Sequence, residues 1–268
     1  MIFTISKILF FLPLIASSKN LTTTTGNSTT ARVLNVRIIN GSDAYIKDFP
    51  YIAQIIRLSN KSNFCGGSLI SDKTVLTAAH CLREDIGKNF PIGDIKLYFG
   101  TDKNAVDYPN TPYDVEKVTF FDTHIEKDIA LIQLKKAVPK EVATPIQIYN
   151  GNINESMDFM IAGFGAVSLT THKPSDYLMK AKVDLSSSNY CKRNNINWVN
   201  NNNEVICTEA NKDISVCFGD SGGPLIAKIN GKHVLIGVIE GNKSTLNPPG
   251  PSCGKNTVTY YMRAKYFV

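Results

Sequence analysis

Short runs of β-branched and aromatic residues, separated by clusters of Gly, Asn, Asp and Pro, fill the chain from Tyr51 onward. Tyr51 to Leu58, Gly67 to Ile70, Thr74 to Thr77, Ile95 to Phe99, Val115 to Phe121 and Ile129 to Leu134 read as six strands. Phe159 to Phe164, Lys180 to Leu185, Val205 to Cys207, Pro224 to Ile229, His233 to Ile239 and Val258 to Met262 read as six more. Helical signals are scarce: a turn at Ala78–Leu82, a segment at Ser187–Arg193 and a stub at Met262–Val268. The pattern predicts an all-β chain of antiparallel barrels, with the stretch from Pro139 to Pro145 as the crossing between its halves.

The first 37 residues do not share this pattern. Residues 1–18, an apolar run with one lysine that ends in Ser17-Ser18, read as a signal peptide too short to span a membrane. Residues 19–37 are rich in Thr and Asn, have no apolar period, and read as a disordered pro-segment ending at Arg37. These 37 residues hold Lys7, Lys19, Arg32 and Arg37 and no acid, so the chain's formal charge of +6 falls to +2 without them. That leaves no electrostatic case for nucleic-acid or membrane binding.

Behind a secretion signal, six cysteines are expected to be oxidised, though six allow fifteen pairings and spacing alone does not choose among them. No C-x-x-C or H-x-x-x-H pattern points to a metal, and Asp102 and Asp107 lack a clear calcium-ligand spacing, so no metal or other cofactor is expected. Six N-x-[ST] sequons, at Asn20, Asn27, Asn40, Asn60, Asn154 and Asn242, add weak support for secretion. Trp198, alone in an Asn-rich loop, reads as a packing residue.

The chemistry concentrates in Gly219-Asp220-Ser221-Gly222-Gly223-Pro224. A serine flanked by glycines sits where the backbone turns sharply, exposing its hydroxyl and leaving nearby N–H groups free for an oxyanion. Thr77-Ala78-Ala79-His80-Cys81 supplies a histidine and Asp128-Ile129-Ala130-Leu131-Ile132 an aspartate. In the order His, Asp, Ser, these residues resemble the chymotrypsin-like serine proteases and differ from subtilisins and α/β-hydrolases. The resemblance covers residues 38 to about 266. It implies two packed six-stranded antiparallel β-barrels with a short C-terminal helix, the protease domain spanning 38–268, with barrels of about 38–140 and 146–268.

The resemblance also implies the roles. Ser221 is the nucleophile, His80 its base and Asp128 the carboxylate that orients the base, with the N–H groups of Gly219 and Ser221 as oxyanion hole. Cleavage after Arg37 by an activating protease frees the amine of Ile38 to pair with Asp220. Disulfides are implied for Cys65–Cys81, Cys191–Cys207 and Cys217–Cys253. The partners are a protein or peptide substrate and protein inhibitors, and the protein is a secreted, extracellular monomer.

Two places depart from the family pattern. The pocket floor falls at Ser215, with Val216 beside it, so Arg and Lys have no counter-ion there. The walls, usually glycines, fall at Asn242 and about Val258, which makes a small or plugged pocket. After the strand, Glu240-Gly241-Asn242 replaces Ser-Trp-Gly: the tryptophan wall is lost, and a glutamate stands where a serine contacts the aspartate. Two carboxylates ~6 Å apart at an effective dielectric near 20 repel by roughly 3 kcal/mol, so either one keeps its proton near neutral pH or Glu240 turns to solvent. The functional expectation is a secreted serine endopeptidase cutting after small or medium apolar residues. The competing expectation is a protease-like binding protein with a closed cleft.

Overall fold

The computed structural model describes residues 41–59, 64–85, 87–121, 127–167, 173–210 and 214–268. The leader and pro-segment, Arg37, Ile38 and the sequons at Asn20, Asn27, Asn40 and Asn60 lie outside the described residues.

The first half supplies six barrel strands, besides a two-stranded hairpin of Arg83–Asp85 and Lys88–Asn89: β1 (Ile52–Arg57), β2 (Phe64–Leu69), β3 (Thr74–Thr77), β4 (Ile95–Tyr98), β5 (Tyr113–Phe120) and β6 (Ala130–Leu134). They close into an antiparallel barrel in the order β1-β2-β3-β6-β5-β4. The second half supplies β7 (Phe159–Gly163), β8 (Met179–Val183), β9 (Val205–Glu209), β10 (Pro224–Ile229), β11 (Lys232–Ser244) and β12 (Thr257–Arg263). These run β8-β7-β10-β11-β12-β9, and a bridge between Leu185 and Thr208 joins the ends into the second barrel. Two short segments add to it: Ser42–Asp43 pairs with β8, and Gln147–Ile148, after the crossing, runs parallel to β11.

Near-continuous apolar runs in the second half follow from burial on both faces. In β12, Val258, Tyr260 and Met262 pack into the core that fills the first barrel and lies against the second, while Tyr261 turns into the second barrel's interior. In β10, Ile226 takes the first direction and Leu225 and Ala227 the other. A strand's period of two thus feeds two cores at once.

The helical content is small. Among the described residues one α-helix spans Asn189–Asn194 and single 3-10 turns include Ala79–Cys81 and Ala264–Tyr266, so the C-terminal helix is one turn after a strand that keeps Met262 and Arg263. Trp198 is buried, and its indole N–H donates to Asn201 Oδ1 at 3.1 Å, which fits a packing role in the Asn-rich loop. The disulfides are Cys65–Cys81, Cys191–Cys207 and Cys217–Cys253.

Candidate active site

Register brings the histidine and aspartate together. Thr77, ending β3, pairs with Ala130, beginning β6, so residues just after the one and just before the other emerge at the same barrel end. There the buried Ala78 and Ala79 let the chain wind tightly into the turn that carries His80. Asp128 holds this turn at two points: Oδ1 accepts from the His80 backbone N–H at 2.8 Å, and Oδ2 lies 2.6 Å from His80 Nδ1. The arrangement fixes Nδ1 as the protonated nitrogen and leaves Nε2 as the basic one. Burial pushes the imidazole pKa down, but the hydrogen bond and charge of Asp128 and the charge of Glu240 push it up, and the net direction is upward.

The Ser221 segment is clamped between the barrels. Gly66 of β2 donates its N–H to the Ser221 carbonyl at 2.7 Å, and Gly222 donates to the Ile239 carbonyl of β11 at 2.8 Å. Gly222 has φ of +77°, and a Cβ there would collide with Thr77 Oγ1 and the Gly66 carbonyl, so glycine is required on both counts. The Cys81 sulfur lies 3.7 Å from the Ser221 carbonyl oxygen and 3.8 Å from His80 Nε2, so the Cys65–Cys81 disulfide sits against both segments. Among the described residues, no protein acceptor takes the N–H groups of Gly219 and Ser221, or the Ser221 hydroxyl proton. Two unbonded N–H groups beside a free hydroxyl can receive a tetrahedral oxyanion.

Asp220 turns the other way, into the protein. Its carboxylate is buried and accepts from the N–H of Gly165 and of Cys217, each at 2.9 Å. A Cβ at Gly165 would overlap this carboxylate, so the close approach depends on glycine. Burial raises the Asp220 pKa to about 6 against the lowering effect of those two N–H groups. No cation among the described residues pairs with it.

The pocket beside Ser221 has a volume of only about 140 Å³ and is lined by residues that include Val216, Phe218, Gly241 and Asn242. Asn242 crosses it: Nδ2 donates to the Val216 carbonyl at 2.6 Å and to Ser215 Oγ at 3.1 Å, while Oδ1 accepts from Thr259 Oγ1 at 2.6 Å. Ser215 also bonds the Val216 carbonyl and lies 3.3 Å from Thr257 Oγ1. Where a tryptophan wall was expected to be missing, a Cβ at Gly241 would meet nothing within 4 Å. The Asn242 amide is thus engaged at both ends.

Val258 is not a pocket wall. It is fully buried in the core with Tyr260 and Met262, and Thr257 and Thr259 face Ser215 and Asn242 instead. A β-bulge explains the one-residue difference. Ile239 pairs with Tyr261 but Gly241 with Tyr260, which leaves Glu240 as the extra residue and advances the register. The Thr-Val-Thr alternation was the available signal for Thr257 and Thr259.

Glu240 faces inward from that bulge. Its Oε2 is buried with no hydrogen-bond partner. Burial first, and the Asp128 charge second, raise its pKa to about 7, against the lowering effect of His80 and Lys243.

Among the described residues, the one cluster of metal-ligand types is Cys65, His80 and Cys81, whose two sulfurs are joined in a disulfide and cannot act as thiolates. A larger cleft of about 700 Å³ opens around Phe49, Tyr51 and His233, at the far end of the β10–β11 hairpin, and contains none of the candidate catalytic residues.

Two antiparallel barrels, with the Asp128-held His80 and the Ser221 segment both lying against the Cys65–Cys81 disulfide, have the fold of the chymotrypsin-like serine proteases. The family model described as Trypsin matches residues 38–263. The chain belongs to the trypsin family. It is 30% identical over 233 residues to a collagenase of Hypoderma lineatum, covering 84% of this chain and 85% of that protein. It is 28% identical to the urokinase-type plasminogen activator of Gallus gallus, covering 76% of this chain and 51% of the relative. Neuropsin, a serine protease of mouse brain, shares the fold with a TM-score of 0.65 at 23% identity, covering 85% of this chain and 95% of its own. No helix among the described residues is long and apolar enough to cross a membrane.

Proposed function

We propose that the chain is a secreted serine endopeptidase, made as a zymogen and activated by cleavage after Arg37, that cuts after small apolar residues. The observation that carries this reading is the two-point grip of Asp128 on His80, beside a serine whose hydroxyl and neighbouring N–H groups are unbonded.

In the reaction, Ser221 Oγ attacks the peptide carbonyl as His80 Nε2 takes its proton. The N–H groups of Gly219 and Ser221 receive the negative charge that develops on the carbonyl oxygen; removing one such donor typically costs about 10²–10³ in rate. Asp128 holds the tautomer and stabilises the imidazolium, which then protonates the leaving amine. Water, deprotonated by the same imidazole, hydrolyses the acyl-enzyme. The neutral Ser215 floor and the Asn242 crossbar leave room for a short apolar side chain and no partner for a cation.

Activation draws on Asp220, a buried carboxylate held only by backbone N–H groups. Ser42, four residues after Ile38, already pairs with β8, beside the strand that leads to Gly165. Four residues reach up to ~14 Å, so a freed Ile38 amine has a short path to Asp220.

A second reading, a protease-like protein that binds partners without cutting them, is favoured by the inward Glu240 and the filled pocket. The purified chain, cleaved after Arg37, separates the two when given a fluorophosphonate, a small acyl ester and a peptide panel. Labelling of Ser221 with peptide turnover is the expected result. No labelling and no ester turnover would sink the enzyme reading, and ester turnover alone would mean a working triad behind a blocked cleft.

A further inference from the structure

The bulge at Glu240 places a carboxyl where it has no structural task. Glu240 makes no strand pairing, and its Oε2 is buried without a donor. The charged and titratable groups that face it come from four elements: Asp128 before β6, His80 on the turn after β3, Tyr260 of β12 and Lys243 on its own strand. Only Lys243, which is exposed, is a permanent cation. A carboxyl in that position either keeps its proton or, once ionised, favours a proton on the base whose charge it feels, and that base is His80.

We propose that Glu240 is a positioning residue for the triad: a second carboxyl, besides Asp128, that the bulge sets towards His80, whose ionisation holds a proton on His80 and defers general-base action to higher pH. The proposal rests on the reading of His80 as the base. Ionised Glu240 adds negative charge beside the imidazole, which raises its pKa, and protonated His80 in turn favours ionised Glu240. The two groups therefore lose protons as a coupled pair, and the second loss makes His80 basic. Burial of Glu240 and the Asp128 charge favour its neutral form, so the pair titrates across neutrality.

The test compares the activated protein with Glu240→Gln and with Glu240→Ser, after circular dichroism shows that each is folded. Imidazole NMR, tractable with four histidines in the chain, follows the His80 midpoint, and fluorophosphonate labelling of Ser221 is timed from pH 5 to pH 9. The midpoint is expected to fall in both variants, and labelling at pH 6.5 to quicken at least ~threefold, with rates converging at high pH. Midpoints that coincide with the unaltered protein's, or a rate changed equally at every pH, would overturn the proposal, since a purely structural glutamate has that signature. If Ser221 is labelled in no variant, the peptidase reading fails, while the NMR midpoint still decides the role of Glu240.

Discussion

Asn242 Nδ2 lies 2.6 Å from the Val216 carbonyl oxygen, a hydrogen bond that bars the pocket beside Ser221 from wall to wall. The bar is secured at its other end by Thr259, whose hydroxyl donates to Asn242 Oδ1. Asn242→Gly removes the bar and both wall contacts without touching His80, Asp128 or Ser221. The expected outcome is a gain of at least ~tenfold in kcat/KM for substrates with Leu or Phe before the scissile bond, relative to Ala, since even one methylene in an apolar pocket is worth about 1–3 kcal/mol. Thr259→Val should act in the same direction more weakly. An unchanged ranking across a peptide panel would mean that the pocket is not where the substrate side chain goes.

Asp220 should make the uncleaved chain sensitive to pH. Its pKa in the folded protein, about 6, lies above the ordinary aspartate value, so the unfolded state gives up this proton more readily. The stability associated with the protonated form is present below about pH 4 and is lost as pH rises from there through 6, by an amount on the order of 3 kcal/mol. Thermal melts of an Arg37→Gln chain should therefore drop between pH 4.5 and 7.5, and Asp220→Asn should flatten that drop. Cleavage after Arg37 should also flatten it, if the Ile38 amine neutralises the carboxylate. A cleaved chain with the same pH-dependent loss would argue against that pairing.

The strands were legible because each is either alternating or continuously apolar, and both patterns mark burial. Less legible was the path after Ile239. Gly241 and Asn242 look like turn residues, yet β11 continues to Ser244 because the bulge at Glu240 absorbs a one-residue mismatch and pairing resumes. Sequence alone carries no sign of that bulge, so the wall assigned to Val258 moves to Thr259 and Thr257. The inward turn of Glu240 was one of two expected outcomes, and only its burial in the folded chain chooses between them. The nearness of His80 and Asp128 likewise depends on the pairing of Thr77 with Ala130, a contact across more than fifty residues that no local pattern encodes. The Asp220 cradle at Gly165 went unseen for the same reason.

Gly222 offers a sharper test of how Ser221 is held. Alanine there would need a positive φ and would push against Thr77 Oγ1 and the Gly66 carbonyl, backbone and side chain of the first barrel. Gly222→Ala should cost about 2 kcal/mol or more and should slow Ser221 labelling beyond what partial unfolding explains. Measuring labelling at a temperature where circular dichroism shows the variant fully folded separates the two effects. Thr77→Ser keeps the hydroxyl bonded to the Gly66 carbonyl and should leave labelling nearly unchanged.

The Cys65–Cys81 bridge should serve placement as well as stability. It joins β2 to the turn carrying His80, and the Cys81 sulfur touches the Ser221 segment, so the bridge spans both halves of the candidate chemistry. Closing the loop between cysteines 16 positions apart contributes about 3 kcal/mol on the chain-entropy account. Replacing both cysteines by alanine should lower the melting temperature accordingly. Cys191 and Cys207 close a loop of the same length, with Cys207 in β9, away from His80, so their double replacement is the matched control. Equal losses of stability are expected from the two pairs, with an additional loss of Ser221 labelling only for Cys65 and Cys81. Equal losses of labelling would mean that the bridge stabilises the barrel and does nothing further for the position of His80.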